Sequence, residues 1–394
     1  MMALPSPPPD LADASAFQRE WSLLLECASP FSDSAKIAEM AQAVDWPRLL
    51  LLAEEHGVVG HLAAALLKQG EHILAGDVRK ALVDRQRAQV LSSLRMTAEL
   101  FRVLEQFGSE GVSALVVKGP VLSVRAYGDA AMRSYGDLDL LVPDGDIRRA
   151  TQLMMASGYD ARVSLNAIDA GKIPGQYLFS KPESKLLVEL HNDRTLRYFP
   201  RRLPLQEFFA RQVRVPLDAR EVPALSVEDE LVLIAIHGAK HFWERLIWIA
   251  DIAGLITRQS SLDWMRVSAT AGNSGAGRIL YLALHLAADL LKARLPEAVQ
   301  EKINADAAVT QLTRGISNRL PTAGHATPGL TERTMFRLRM RGGFFSGPVY
   351  LVRLLFSPTE EDWQAGRETD GNRLVDVLRR PFRLARKHGR SAKS

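Results

Sequence analysis

The stretch "SYGDLDLLV", residues 134–142, places Asp137 and Asp139 one residue apart inside a run that otherwise has the composition of a buried strand. Strand side chains alternate between faces, so Asp137, Asp139 and Leu141 point one way and Leu138, Leu140 and Val142 the other. The apolar face can pack onto helices. The acidic face has to meet water, a cation or a basic partner, because two carboxylates this close raise each other's pKa when nothing compensates. A divalent metal compensates most directly, since Mg²⁺ takes oxygen ligands and keeps positions open for water and substrate phosphates.

The same alternation applies to "KLLVELHND", residues 185–193, where Leu187, Glu189 and His191 share one face with Leu186, Val188 and Leu190 behind. On a neighbouring strand Glu189 would add a third carboxylate to the aspartate pair. Upstream, "VVKGP" (116–120) puts a glycine directly after a β-branched run and before a helix starting near Val121. Backbone N–H groups and a helix N-terminus attract anions at such a turn, and Lys118 adds a point charge. Taken singly, a glycine after a strand is ordinary turn punctuation.

Working outward, residues 1–15 are proline-rich and read as a disordered lead-in, with neither the basic start nor the apolar core of a signal peptide. Residues 16–107 carry apolar residues at three- and four-residue spacings and read as a helical region. Residues 108–200 change period: strand, helix, strand, helix, strand, with a further hairpin strand in "GQYLFSK", as in a small mixed-sheet domain. A proline-punctuated connection then leads into a second helical region, 201–318. Ser226 and Asp229 form a cap there for one long helix, "VEDELVLIAIHGAKHFWERLIWIADIAGLITRQ". Residues 319–394 read as a loop-rich segment with two short helices and a basic tail. The expected class is α+β, a small mixed-sheet core flanked by helical regions.

The order of the pieces is more telling than any one of them. A strand ending in glycine, a helix, a loop with Arg133, a strand carrying Asp-x-Asp, a helix and a strand carrying Glu resemble the polymerase-β-like nucleotidyltransferase superfamily. Within it, "VVKGPVLSVRAYGDAAMRSYGDLDLLV" with "VELH" looks like the uncharacterised nucleotidyltransferase family typified by "KG…L…YGD…R…GDLDLLV". The later "HGAKHFWERLIWIADIAGLI", "SPTEEDW" and "RRPFRL" fit the same family. By that resemblance Asp137, Asp139 and Glu189 hold catalytic Mg²⁺ or Mn²⁺, and Glu189 can accept the nucleophile's proton. Gly119 serves the phosphate turn, with Lys118, Arg133, His191 and Lys240 on the nucleotide side. The implied activity is transfer of a nucleoside monophosphate from an NTP, in the first place ATP, to a small-molecule or peptide acceptor. One departure stands out: the superfamily's Gly-Ser is here Lys118-Gly119-Pro120, so no serine hydroxyl follows the glycine and proline brings no N–H. That departure supports the alternative, a catalytically inactive binding or regulatory module; three intact carboxylates argue against it.

The long helix carries a second cluster. His237, His241, Glu244, Trp248 and Asp251 follow three- and four-residue steps, with Lys240 beside them, and read as a polar face lining the nucleotide cleft or a packed face with hydrogen-bonded histidines. Two histidines four apart also suit zinc, but a zincin needs glutamate where Gly238 stands. "SGAGRIL" follows a helix rather than a strand and reads as a helix start. His285 reads as a satisfied core or groove histidine.

Composition bounds the rest. With 47% hydrophobic and 24% charged residues the chain is of ordinary globular type. One cysteine, Cys27, excludes an intrachain disulfide and any multi-cysteine metal site, which fits a cytoplasmic location. No apolar run reaches the roughly 20 residues of a membrane span. The net charge of +5 favours acidic partners such as nucleotides, while nucleic acid has no recognition motif behind it.

Overall fold

A computed structural model describes residues 14–69, 73–169, 175–182, 186–192, 203–322 and 329–341. The expected lead-in before residue 14, the two closing helices and the basic tail lie outside them.

Helices α1 (Ala14–Ala28), α2 (Ser34–Met40), α3 (Trp46–Glu55), α4 (Val59–Leu66) and the 34-residue α5 (Gly76–Ser109) precede the sheet. Among the described residues seven strands follow: β1 (Leu115–Val116), β2 (Asp137–Leu141), β3 (Asp160–Ala161), β4 (Gln176–Lys181), β5 (Leu186–His191), β6 (Val213–Leu217) and β7 (Arg220–Ala224). Their order across the sheet is β3-β4-β5-β2-β1-β7-β6. β2 runs parallel to β5 and β1 parallel to β7, while the other pairs are antiparallel, so the sheet is mixed. Between and after the strands lie α6 (Pro120–Tyr127), α7 (Ile147–Ala156), α8 (Leu165–Asp169) and α9 (Leu205–Ala210). The second helical region holds α10 (Val227–Lys240), α11 (Leu246–Arg258), α12 (Trp264–Asn273), α13 (Gly277–Leu291), α14 (Glu297–Asn304), α15 (Ala307–Arg319) and α16 (Leu330–Arg339).

The alternation read from the sequence sets the layers. Leu138, Leu140, Val188, Leu190, Tyr177 and Phe179 join one buried cluster with Met96, Leu100, Val103 and Phe107 of α5 and Ile147, Ala150 and Met154 of α7. On the opposite face Leu115, Val117 and Leu141 pack with Phe208 of α9 and Leu233 of α10. The sheet is therefore sandwiched, and α10 lies over the face that carries the aspartates.

Three differences from the sequence reading have physical causes. First, the connection before α10 contains the hairpin β6–β7, in register Val215↔Val222, which extends the sheet past β1. Pro216 and Pro223 argue against strands, but β6 is an edge and β7 meets β1 only at Val116↔Ala224, so missing N–H donors are tolerated. Second, the long helix is two helices. Phe242 (φ 57°) and Trp243 (φ 54°) take left-handed backbone, and the Trp243 N–H closes onto the Gly238 carbonyl at 2.9 Å. This conformation is costly for aromatic residues, and complete burial of the Trp243 side chain offsets it. Third, the segment expected to be loop-rich contains α16.

The two helical regions share one core, from Leu23 and Leu24 through Leu49 and Leu62 to Ile249 and Leu282. His56, at the end of α3, accepts the Leu246 N–H on Nδ1 (3.2 Å) and the Ile247 N–H on its carbonyl (3.1 Å), satisfying the first turn of α11. α10 begins where the capping residues predicted it: Ser226 Oγ accepts the Asp229 N–H at 3.2 Å. Glu228, Asp229 and Glu230 then fill its first turn, where negative charge suits the helix dipole.

Candidate active site

The site is built by strand register. β2 and β5 pair with Asp137 opposite Leu187, Asp139 opposite Glu189 and Leu141 opposite His191, so three carboxylates and an imidazole emerge on one face. β4 adds Gln176 across from His191. From above, one face of α10 contributes Leu233, His237 and Lys240, and His241 follows at its C-cap. From the end of β1 comes Lys118. These groups line a cavity of about 230 Å³ between sheet and helix.

Within it Asp139 is the hub. It is 4% exposed; Lys118 Nζ lies 2.7 Å from Oδ2, and His191 Nε2 lies 2.9 Å from Oδ1. Lys118 Nζ is also 3.2 Å from His237 Nδ1. Gln176 Nε2 donates to Glu189 Oε2 at 2.6 Å, and Lys240 Nζ donates to Gln176 Oε1 at 3.4 Å. His191 Nε2 is 3.5 Å from the same oxygen of Glu189.

These contacts split the carboxylates electrostatically. Burial pushes Asp139 up, but the Lys118 ammonium and the hydrogen bond from His191 outweigh it and hold Asp139 well below the usual carboxylate range. Asp137 is raised, by burial first and by the charge of Asp139 second. Glu189 is raised for the same two reasons. The bases facing them shift down: burial lowers Lys240, and burial with the Lys118 charge lowers His237 well below 6.5. Burial and then Lys240 bring His241 to about 4. Three carboxylates thus face two lysines and neutral His237 and His241.

The histidine rings are packed rather than free. His237 and His241 stand 4.7 Å apart by centroid, and Trp248 of α11 lies 5.6 and 5.2 Å from them. The helix break at Phe242 and Trp243 therefore still delivers the three rings to one place.

A family described as uncharacterised nucleotidyltransferase matches residues 42–292, well over half of the sequence. The chain belongs to that family. No curated protein matches it. Solved structures similar over part of it include two antibiotic-related proteins. One is the lincosamide antibiotic adenylyltransferase LnuA bound to lincomycin, at 18% identity and a TM-score of 0.30, over 40% of this chain and 94% of its own. The other is the antibiotic-resistance factor ANT(2'')-Ia, at 14% identity and a TM-score of 0.35, over 49% of this chain and 96% of its own.

In this nucleotidyltransferase the structure gathers Lys118, Asp137, Asp139, Glu189, His191 and Lys240 around one cavity. Arg133 stands behind them, close enough for its charge to act on Asp137. Its side chain is buried beside α11, where Nε donates to Asp251 Oδ2 at 2.8 Å, and it does not line the cavity. Asp251 also accepts from the Tyr127 hydroxyl at 2.8 Å, so the last member of the expected polar helix face serves this internal pair. Glu244 is likewise absent from the cavity lining. Gly119 has φ 65° and ψ −134° and caps α6, with Pro120 at its first position. A proline there removes no helical hydrogen bond, because the first N–H groups of a helix have no partner within it.

Sequence reasoning missed Gln176. Its signal was available: a polar residue opening a hairpin strand beside "VELH", in phase with Glu189. Elsewhere the bland readings hold. Cys27 is a buried helix residue whose thiol is pushed up to about 12 by burial and then by Glu26. His285 Nδ1 is within 3.1 Å of Thr313 Oγ1, and "SGAGRIL" starts α13. No helix among the described residues is long and apolar enough to cross a membrane.

Proposed function

We propose that this nucleotidyltransferase moves a nucleoside monophosphate from an NTP, ATP in the first place, to a hydroxyl or phosphate of a small-molecule or peptide acceptor in the cytoplasm, releasing pyrophosphate. The observation that carries the reading is the direct register of Asp139 and Glu189 on adjacent parallel strands, opening into a cavity that also holds two lysines.

The donor set fits a hard divalent cation. Asp139, Glu189 and His191 offer ligand atoms within 4.8 Å of one another, and Asp137 shares the strand and the face. Carboxylate oxygens suit Mg²⁺ or Mn²⁺, with imidazole a poorer donor for Mg²⁺, so Asp137, Asp139 and Glu189 would hold the ion while His191 orients Asp139. When bound, such an ion supplies charge neutralisation at the reacting and leaving phosphate oxygens.

The chain's own residues do the remainder. A cavity of about 230 Å³ is smaller than the roughly 300–1,000 Å³ of sites that enclose a whole ligand, so it accommodates the phosphates and leaves the nucleoside outside. Lys118 and Lys240 supply positive charge to those phosphates, beside the turn at Gly119. In the transfer, a bond forms between the acceptor oxygen and the α-phosphorus. The bond from that phosphorus to the bridging oxygen breaks, and pyrophosphate leaves with the electron pair. Glu189, beside the ion and facing the cavity, takes the acceptor's proton. Positioning and electrostatics carry the rate.

The test is an NTP screen with cell extract, using α-labelled nucleotides and mass spectrometry of whatever gains the label. Asp137→Ala and Asp139→Ala should abolish the transfer while circular dichroism remains native. Label transfer that survives the double change overturns the reading.

A further inference from the structure

We infer that Lys118 and the divalent cation compete for the same oxygen of Asp139, so that metal binding hands the Lys118 ammonium to the nucleotide's phosphates. The inference rests on the metal-dependent reading above.

Asp139 has two oxygens, and the protein engages both: Oδ2 with Lys118 at 2.7 Å and Oδ1 with His191 at 2.9 Å. Mg²⁺ binds carboxylate oxygen at about 2.0–2.1 Å. An ion on Asp139 and an ammonium on the same carboxylate would be like charges within a few ångströms, in a pocket where Asp139 is almost fully shielded from water. One of the two cations must give way. His191 is held on the sheet by the register of β5, whereas Lys118 carries its charge on a flexible four-carbon stem at the open end of β1. The lysine is therefore the partner that moves.

Its destination is constrained as well. Lys118 immediately precedes Gly119, which caps α6, and the other neighbour of its ammonium is His237 Nδ1, at 3.2 Å. An imidazole carries no negative charge, so it offers no counter-ion. Phosphate oxygens at the Gly119 turn would provide one. Metal and nucleotide then bind with positive coupling, each removing a cost that the other would meet alone, and the effect is reciprocal.

The decisive measurement is Mn²⁺ binding without nucleotide, by titration calorimetry and by the paramagnetic signal of free Mn²⁺, on the full chain. Lys118→Met keeps the aliphatic stem and removes the charge; Lys118→Gln is a second neutral variant in case the first folds poorly. Either should bind Mn²⁺ about 5- to 150-fold more tightly than the parent, the usual range of a coupling between sites. Lys118→Arg, which keeps the charge, should not. Equal or weaker Mn²⁺ affinity in the neutral variants, with binding abolished by Asp139→Asn, overturns the competition and leaves the metal site standing. Absence of Mn²⁺ binding in the parent and both neutral variants overturns the competition and the metal reading together.

Discussion

Arg133 and Asp251 form an internal ion pair, Nε to Oδ2 at 2.8 Å, with 7% and 2% of their side-chain surfaces exposed. It ties the loop that enters β2 to the middle of α11, and the Tyr127 hydroxyl at the end of α6 completes the carboxylate's partners. Removing one member leaves a buried charge without compensation, so Arg133→Ala or Asp251→Ala should cost about 3–5 kcal/mol in urea unfolding. Replacing both with apolar residues, Arg133→Met with Asp251→Leu, should recover most of that loss. A transfer assay separates this role from phosphate binding. If Arg133 contacted the triphosphate, Arg133→Lys would raise KM for the NTP with little loss of stability; the structure predicts the reverse.

Gly119 sits at φ 65° and ψ −134°, a combination that side chains with a Cβ rarely adopt. Space is not the obstacle, since a Cβ there would meet nothing closer than Leu138 Cδ2 at 3.9 Å. Gly119→Ala should therefore destabilise by about 1–3 kcal/mol through backbone strain alone. Relief of that strain rotates the peptides on either side and displaces Lys118. Transfer should fall more steeply than stability, which parallel rate and urea measurements would reveal.

Much of the candidate site was legible because it obeys simple periods. Asp137, Asp139, Glu189 and His191 follow the two-residue alternation of strands, and His237, Lys240 and His241 follow helical steps, so each set could be assigned to one face. What the sequence did not carry was tertiary. Arg133 looked like a free cation available to a nucleotide because its partner lies 118 positions away on α11. Lys118 and Asp139 were both singled out, yet nothing in their spacing shows that the ammonium reaches the carboxylate. The break between α10 and α11 was hidden by apolar periodicity that runs through it. The hairpin β6–β7 was hidden by two prolines that an edge position tolerates.

That break depends on a close approach. A Cβ on Gly238 would lie 2.4 Å from Trp243 Cζ3 and 2.5 Å from Cη2, inside the indole ring. Gly238→Ala should cost about 1–3 kcal/mol, the usual penalty for overpacking, despite alanine's better helix propensity. Because Trp243 sets the turn that brings Trp248 against His237 and His241, the change should also lower tryptophan fluorescence anisotropy and impair transfer. A variant of native stability and activity would show that the turn forms without this contact.

His61 gives the fold a defined sensitivity to acid. It lies in α4, edge-on to Tyr127 with ring centroids 4.6 Å apart, and neither ring nitrogen has a hydrogen-bond partner among the described residues. Burial lowers its pKa from 6.5 to about 4. Between those values the unfolded chain binds a proton that the folded chain refuses, so stability rises with pH across the window. The contribution is fully present above 6.5 and is lost as pH falls through 4. At about 1.4 kcal/mol per pH unit, the native state should lose roughly 2–3 kcal/mol from this group on acidification from pH 7.5 to 4.5. His61→Phe keeps a ring against Tyr127 and removes the titration, so its urea midpoint should fall less over the same interval. Identical losses in parent and variant would mean that the imidazole takes up its proton within the fold.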